Sequence, residues 1–282
     1  MSVQQLVFDS EMIMSNLEAT RGTIATVPQD HTSLLQHIRI DYGPPDVLGR
    51  FFLKALAAAE LRGLRLEVGT FNDLLIANQD NRDNWLPLLT IFDHRKSAVT
   101  PETAFCILGR DHAGRVVAAH AARLFDWSRT SFHEEAESLR LFYADPETMR
   151  LPGERCIVTA PTARTLTGQV VYSGAAWYHP NYRGRQLSAI FPKIAKALAF
   201  ARWSPDFVCS VMQASIHARG FATRFDYPVV DWDVQMIDGP LGGAMRVALV
   251  WMEGLHIINS TKSFLSDSAI ERDSTTARQR RA

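Results

Sequence analysis

Residues 170–198, VVYSGAAWYHPNYRGRQLSAIFPKIAKAL, set two arginines and a glycine between a strand-like run and a helix-like run. Val170, Val171, Trp177 and Tyr178 favour extended backbone, Pro180 removes a ladder donor, and Gly184 tolerates the dihedrals of a tight turn. Beyond the turn the apolar period changes. Leu187, Ile190, Phe191, Ile194, Ala195 and Leu198 recur three and four apart, which predicts a helix opening at Leu187. The first amides of a helix have no intrahelical partner and lie at the positive end of its dipole, so they attract anions. With Arg183 and Arg185 beside them they suit a multiply charged ligand such as a pyrophosphate. The same residues also suit an ordinary strand-to-helix turn with solvated arginines. Pro192 inside the helical run predicts a local kink.

This segment resembles the acyl-CoA binding signature of the GNAT superfamily of N-acetyltransferases: a strand, V-x-P, then [QR]-x-x-G-x-[GA], then a helix. Tyr178-His179-Pro180 stands where V-x-P would, Arg183 takes the [QR] place, and Gln186 and Ser188 replace the two small residues. The resemblance implies that Tyr178, Arg183, Gly184, Arg185, Gln186, Leu187 and Ser188 hold acetyl-CoA or another acyl-CoA as co-substrate. Downstream, residues 207–212 read as a buried strand and SIHARGFATRFDYP as one amphipathic helix closed by Pro228, similar to the family text N-x-x-A-x-x-L-Y-x-x-x-G-F. Ser215 falls on the Asn, where it would bond the pantetheine arm or cap the helix. Ala222 falls on the Tyr and has no proton to give a departing thiolate. Tyr172 stands where family members often carry a base; as a tyrosine it suits a relay or orienting hydroxyl, or a packed strand aromatic. His179 has a pKa suited to proton transfer, though its place beside Pro180 points it towards solvent or cofactor.

Positioning these residues requires a scaffold, and the rest of the chain supplies its pattern. Residues 64–68 alternate as a strand, 71–78 and 85–92 read as helices, and 104–109 and 116–125 flank a turn at 110–115. Two further strands, 229–237 and 245–252, are joined by a Gly-Pro-rich link. The order resembles an α/β GNAT-like acyl-CoA N-acyltransferase fold, a mixed twisted sheet flanked by helices, over residues 64–256. Residues 1–63 read as an N-terminal helical extension with segments at 3–20 and 47–62, separated by Pro44 and Pro45 and ended by Gly63. Its apolar content fits core packing or contact with a second copy of the chain, as in a homodimer. An insertion at about 129–168 carries a helix over 131–143 with Glu134, Glu135 and Glu137. The insertion would cap the acceptor site, and its glutamates would neutralise an amine or serve the helix dipole in solvent. Residues 257–282 read as a polar tail too poor in large apolar residues to fold alone.

The chain has 282 residues, 46% hydrophobic and 21% charged, enough for one large core. Thirty basic residues balance thirty acidic ones, which argues against a nucleic-acid or anionic-membrane partner. No apolar run has the length of a membrane span and the first residues are acidic, so a cytoplasmic location is expected. Cys106, Cys156 and Cys209 sit among β-type residues and read as buried thiols, and the nine histidines show no metal-ligand spacing, so no metal is expected. The expected function is acyl-CoA-dependent N-acyltransfer, with acetyl passing to a small-molecule or protein amine by direct attack. An alternative is a degenerate GNAT-like domain that senses acyl-CoA or mediates protein contacts. Alcohol or lactone acceptors form a third class.

Overall fold

The computed structural model describes residues 33–267. The helix expected at 3–20, and the last fifteen residues of the expected tail, lie outside that range. Pro45 opens α1 (Pro45–Leu61) at the helix position where a missing N–H costs nothing and a fixed φ helps, and Gly63, at φ +83°, turns the chain out of it. The chain then enters β1 (Arg65–Gly69) and α2 (Phe71–Asp80). Thr70 and Asp73 cap α2 reciprocally, each side chain bonding the other's main-chain N–H. The helix expected at 85–92 does not form. Pro87 lacks a donor, and Asn78 donates to the Leu86 carbonyl and accepts from the Leu88 amide. The segment therefore stays extended, with a single 3-10 turn at Thr90–Phe92.

Next come β2 (Ala104–Arg110), β3 (Val116–Trp127), α3 (Phe132–Glu137), α4 (Pro146–Met149), β4 (Arg155–Val158) and β5 (Gly168–Tyr178). They are followed by α5 (Phe191–Trp203), β6 (Phe207–Gln213), α6 (Ala214–Ala218), α7 (Phe221–Arg224), β7 (Val229–Ile237), β8 (Ala244–Glu253) and α8 (His256–Ser266). The eight strands form one sheet in the order β1-β2-β3-β5-β6-β8-β7-β4. β5 and β6 pair in parallel, and the other pairings between these strands are antiparallel. A mixed, helix-flanked sheet of this kind agrees with the α/β expectation.

Period-two alternation divides the sheet between two cores. Phe105, Ile107, Val171, Val208, Ala248 and Val250 pack on one face with α1, α5 and α8. Cys106, Leu108, Val170, Tyr172, Cys209 and Leu249 pack on the other with α2 and α3. All three cysteines are buried free thiols, and burial pushes that of Cys156 up to about 12, far from thiolate chemistry.

Two expectations about the periphery are corrected. The insertion extends the sheet, because β4 pairs with β7 at the end opposite β1. Its glutamates serve the insertion itself: Glu134 accepts from Thr130 and Ser131, Glu135 pairs with Arg140 at 2.7 Å, and Glu137 accepts from the Val158 amide. The polar tail begins later than expected, since residues 256–266 form α8 with Ile257 and Phe264 in the core. Phe264 packs edge-on against Phe51, and Lys54 donates to the Leu265 and Asp267 carbonyls at the end of α8. Apolar residues at 257, 258, 264 and 265 suffice because a short helix on an existing core needs only one apolar stripe. Among the described residues no helix is long and apolar enough to cross a membrane. Phe264→Ala is predicted to lower the unfolding free energy by about 3–4 kcal/mol, read from urea denaturation; a dispensable tail would give no change.

Candidate active site

The sheet opens where its parallel pair ends. β5 and β6 are paired at Val170–Phe207, Val171–Val208 and Tyr172–Cys209, and the recorded pairing stops there. The cause lies on the other edge of β5. Against β3, Ala119 pairs with Trp177 and Ala121 with Gly174, so Ala175 and Ala176 together oppose His120. This is a bulge, and Ala175 takes φ +53° within it. An extra residue bends and twists the strand that carries it, here sending the end of β5 away from β6. Tyr172, 1% exposed, holds the opening: its hydroxyl accepts from the Val211 amide of β6 at 3.3 Å. Burial pushes the Tyr172 phenol further up from its ordinary value, and its hydroxyl orients the β6 backbone.

Between the diverging strands lies a cleft of about 840 Å³ whose lining draws on both faces of the sheet. One wall is the extended segment 84–92. Arg123 donates to the Ile91 carbonyl, the Trp177 indole donates to the Asn84 carbonyl, and Trp85 stacks on Trp177 with centroids 4.6 Å apart. Phe92 lies so close to Gly174 that a Cβ there would come within 2.9 Å of its ring, so the bulge region requires glycine at that position.

The loop after β5 forms the mouth of the cleft. Gly184 has φ +78° and Gln186 has φ +56°, so a glutamine occupies the left-handed conformation that a small residue would take at lower cost, a strain of roughly 1–2 kcal/mol. Leu187–Ala189 is a 3-10 turn and α5 begins at Phe191, one turn later than its apolar period predicts. Pro192 accordingly falls in the first turn of α5, where its missing N–H breaks no ladder bond, and the expected kink has no cause there.

Of the sequence-predicted residues, Tyr172, Tyr178, Arg183, Gly184, Gln186, Leu187 and Ser188 line the cleft together. Arg185, His179 and Ser215 are not among its lining. Arg185 donates to the Arg62 carbonyl at the end of α1 and lies over the Tyr182 ring at 4.2 Å, bracing the loop from behind. His179 uses Nδ1 to accept from the Asn181 amide and so caps the turn after β5. Ser215 is exposed in α6, and Gln213 holds the N-cap position. The single helix expected over 215–228 is two short ones, because Gly220 at φ +75° turns the chain between α6 and α7.

Sequence reasoning missed five residues, four that line the cleft and Lys196 behind it. Arg219 and Arg224, exposed at the α6–α7 turn, line the cleft with Arg183 and flank Phe221 at 5.3 and 5.2 Å. Their spacing around Gly220 was the available signal. His120, 2% exposed, faces the bulge with Nε2 2.8 Å from Ser173 Oγ, while its Nδ1 is buried without a partner. A lone imidazole in the alanine run of β3 was its only trace. Burial, and then the charge of Lys196, push the His120 pKa down to about 3. Lys196 on α5 is itself buried; its ammonium donates to the Phe225 carbonyl and lies 4.0 Å over the Tyr227 ring, and burial pulls its pKa down to about 7. Tyr227 also lines the cleft, and burial raises its pKa, so its phenol stays protonated. Among the described residues no cluster of three His, Cys, Asp or Glu side chains stands ready for a metal ion.

No protein-family model matches the sequence, and none of the curated proteins does. Among solved structures the chain is similar to mutant forms of the spermidine/spermine N-acetyltransferase SpeG from Vibrio cholerae, at 8% identity and a TM-score of 0.41 over 70% of this chain and 97% of that one. It is likewise similar to Arabidopsis thaliana NAA60 in complex with a bisubstrate analogue, at 14% identity and a TM-score of 0.43 over 67% of this chain and 97% of that one.

The His120 environment gives a pH signature. Its folded pKa of about 3 lies below the ordinary 6.5, so the unfolded chain binds the proton more tightly. Its contribution is therefore complete above pH 6.5 and is lost as pH falls towards 3. Between about pH 6 and 5 the stability of wild type relative to His120→Leu is predicted to drop by about 1 kcal/mol, measured by urea denaturation at each pH; a pH-independent difference would contradict the burial argument.

Proposed function

We propose that this chain is an acyl-CoA-dependent N-acyltransferase that takes acetyl-CoA in the cleft between β5 and β6 and passes the acetyl group to an amine. The observation that carries the reading is the parting of β5 and β6 after Tyr172–Cys209 into a cleft continuous with the 183–189 loop. The donor chemistry fits the ligand. Arg183, Arg219 and Arg224 supply mobile cations for phosphate groups, and the Gly184–Ser188 turn offers backbone donors at its start. Gln186 keeps the left-handed turn in spite of its side chain.

The co-substrate supplies an activated thioester. The protein's part is placement: strands that part but remain fixed at Val170–Tyr172 orient carbonyl and amine towards each other, removing translational entropy from the barrier. Main-chain donors along the open edge of β5 suit the developing oxyanion. As the C–N bond forms and the C–S bond breaks, the amine proton leaves and the thiolate gains one. Ala222 offers none; we assign to the Tyr227 hydroxyl, which lines the same cleft, the relay of the proton shed by nitrogen to the departing thiolate.

Calorimetric titration with acetyl-CoA tests the binding half. An Arg183→Ala, Arg219→Ala, Arg224→Ala triple variant is predicted to bind about 10- to 100-fold more weakly than wild type, from the loss of charge-assisted phosphate contacts. Arg185→Ala, which loses only the brace to α1, is predicted to bind within a few-fold of wild type. Equal affinity of the triple variant and wild type would remove the arginines from the coenzyme site.

A further inference from the structure

We infer that the acceptor is an amine uncharged at neutral pH with an apolar, aromatic body, and that polyamines are excluded; the inference rests on reading the cleft as the acyl-CoA site. The two faces of the sheet give the cleft two unlike parts. The arginines and the 183–189 loop belong with the α5 face, and on the opposite face the lining is Trp85, Leu88, Phe92, Met236 and Met245. Leu241, 36% exposed in the β7–β8 link, adds to it. Rigid aromatic walls and adaptable thioethers suit a flat apolar group.

Charge decides the rest. Among the described residues no Asp or Glu lines the cleft, whose only full charges are three arginines. Three carboxylates of the flanking elements are committed elsewhere: Asp93 to Arg95, Asp226 to Lys193, Glu154 to the Tyr143 hydroxyl and the Leu151 amide. An ammonium entering the apolar part of this cleft would lose water and gain no carboxylate counterion from the protein. Nor would it find a group to take its proton. His120 is the one imidazole in the lining, spends Nε2 on Ser173, and is too weak a base once buried. An arylamine avoids both costs, because its nitrogen lone pair is already free and its ring matches the wall. Attack then forms the N–C bond and breaks C–S, and the proton shed by nitrogen after attack balances the one gained by the thiolate. An alcohol would need a stronger base than the cleft contains.

The test measures acceptor-dependent CoA release and confirms the product by mass spectrometry near neutral pH, with 4-methoxyaniline, benzylamine and spermidine as acceptors and acetyl-CoA or octanoyl-CoA as donor. The inference predicts kcat/KM for 4-methoxyaniline more than about tenfold above both cationic amines, because benzylamine shares the ring and lacks the neutral nitrogen. Leu241→Glu is predicted to narrow that ratio several-fold by giving ammonium groups a counterion. Spermidine or benzylamine equal to the arylamine overturns the inference and leaves the N-acyltransferase reading standing. Tighter binding of octanoyl-CoA with no arylamine advantage also overturns it, by assigning the apolar wall to the acyl chain. Binding of acetyl-CoA without turnover of any amine overturns it as well, and absence of acetyl-CoA binding overturns the parent reading with it.

Discussion

The parting of two neighbouring parallel strands is the constraint on which the rest of the molecule depends. A sheet loses ladder bonds wherever strands separate, and buried main-chain groups left unpaired cost free energy. The chain meets that cost locally. One extra residue at Ala175–Ala176 bends β5, Gly174 lets Phe92 press against the bent stretch, and the Tyr172 hydroxyl occupies the Val211 amide. With Val170–Tyr172 still paired to β6, the opening has a fixed hinge line and a defined width.

Everything chemically distinctive collects at that opening, and its charge is one-sided. Cations cluster where α6, α7 and the loop before α5 converge, while the facing part of the cleft is aromatic and thioether-lined. In the buried polar residues behind it, His120 with Ser173 and Lys196 with Tyr227, desolvation disfavours the charged forms. They give the opening shape and hydrogen-bonding capacity without adding a carboxylate.

How much of this was legible in the sequence follows from how local each signal is. The strand–turn–helix course of 170–198 was readable because its apolar period changes within a few residues of Gly184, and six of the eight proposed coenzyme contacts do line one cleft. The start of α5 was misread by one turn because a 3-10 turn at Leu187–Ala189 continues the helical spacing of apolar residues. Segment 85–92 has helical content, but Asn78 satisfies its backbone from another element, which no window of sequence contains. Arg185 and Arg183 look alike in the sequence, and only the arrival of α1 behind the loop tells them apart. The bulge opposite His120 was invisible for the same reason, since it exists only as a mismatch between two strands some fifty residues apart.

The central claim is that the parted strands and the adjoining loop together receive a coenzyme A thioester. Amide hydrogen exchange with and without acetyl-CoA tests it most directly, because exchange reports main-chain groups residue by residue. The account predicts slowed exchange on adding acetyl-CoA in residues 173–178, 184–190 and 210–213, with β1, β2 and β4 unchanged. No slowing in those three stretches, or slowing confined to the insertion at 129–168, would contradict it.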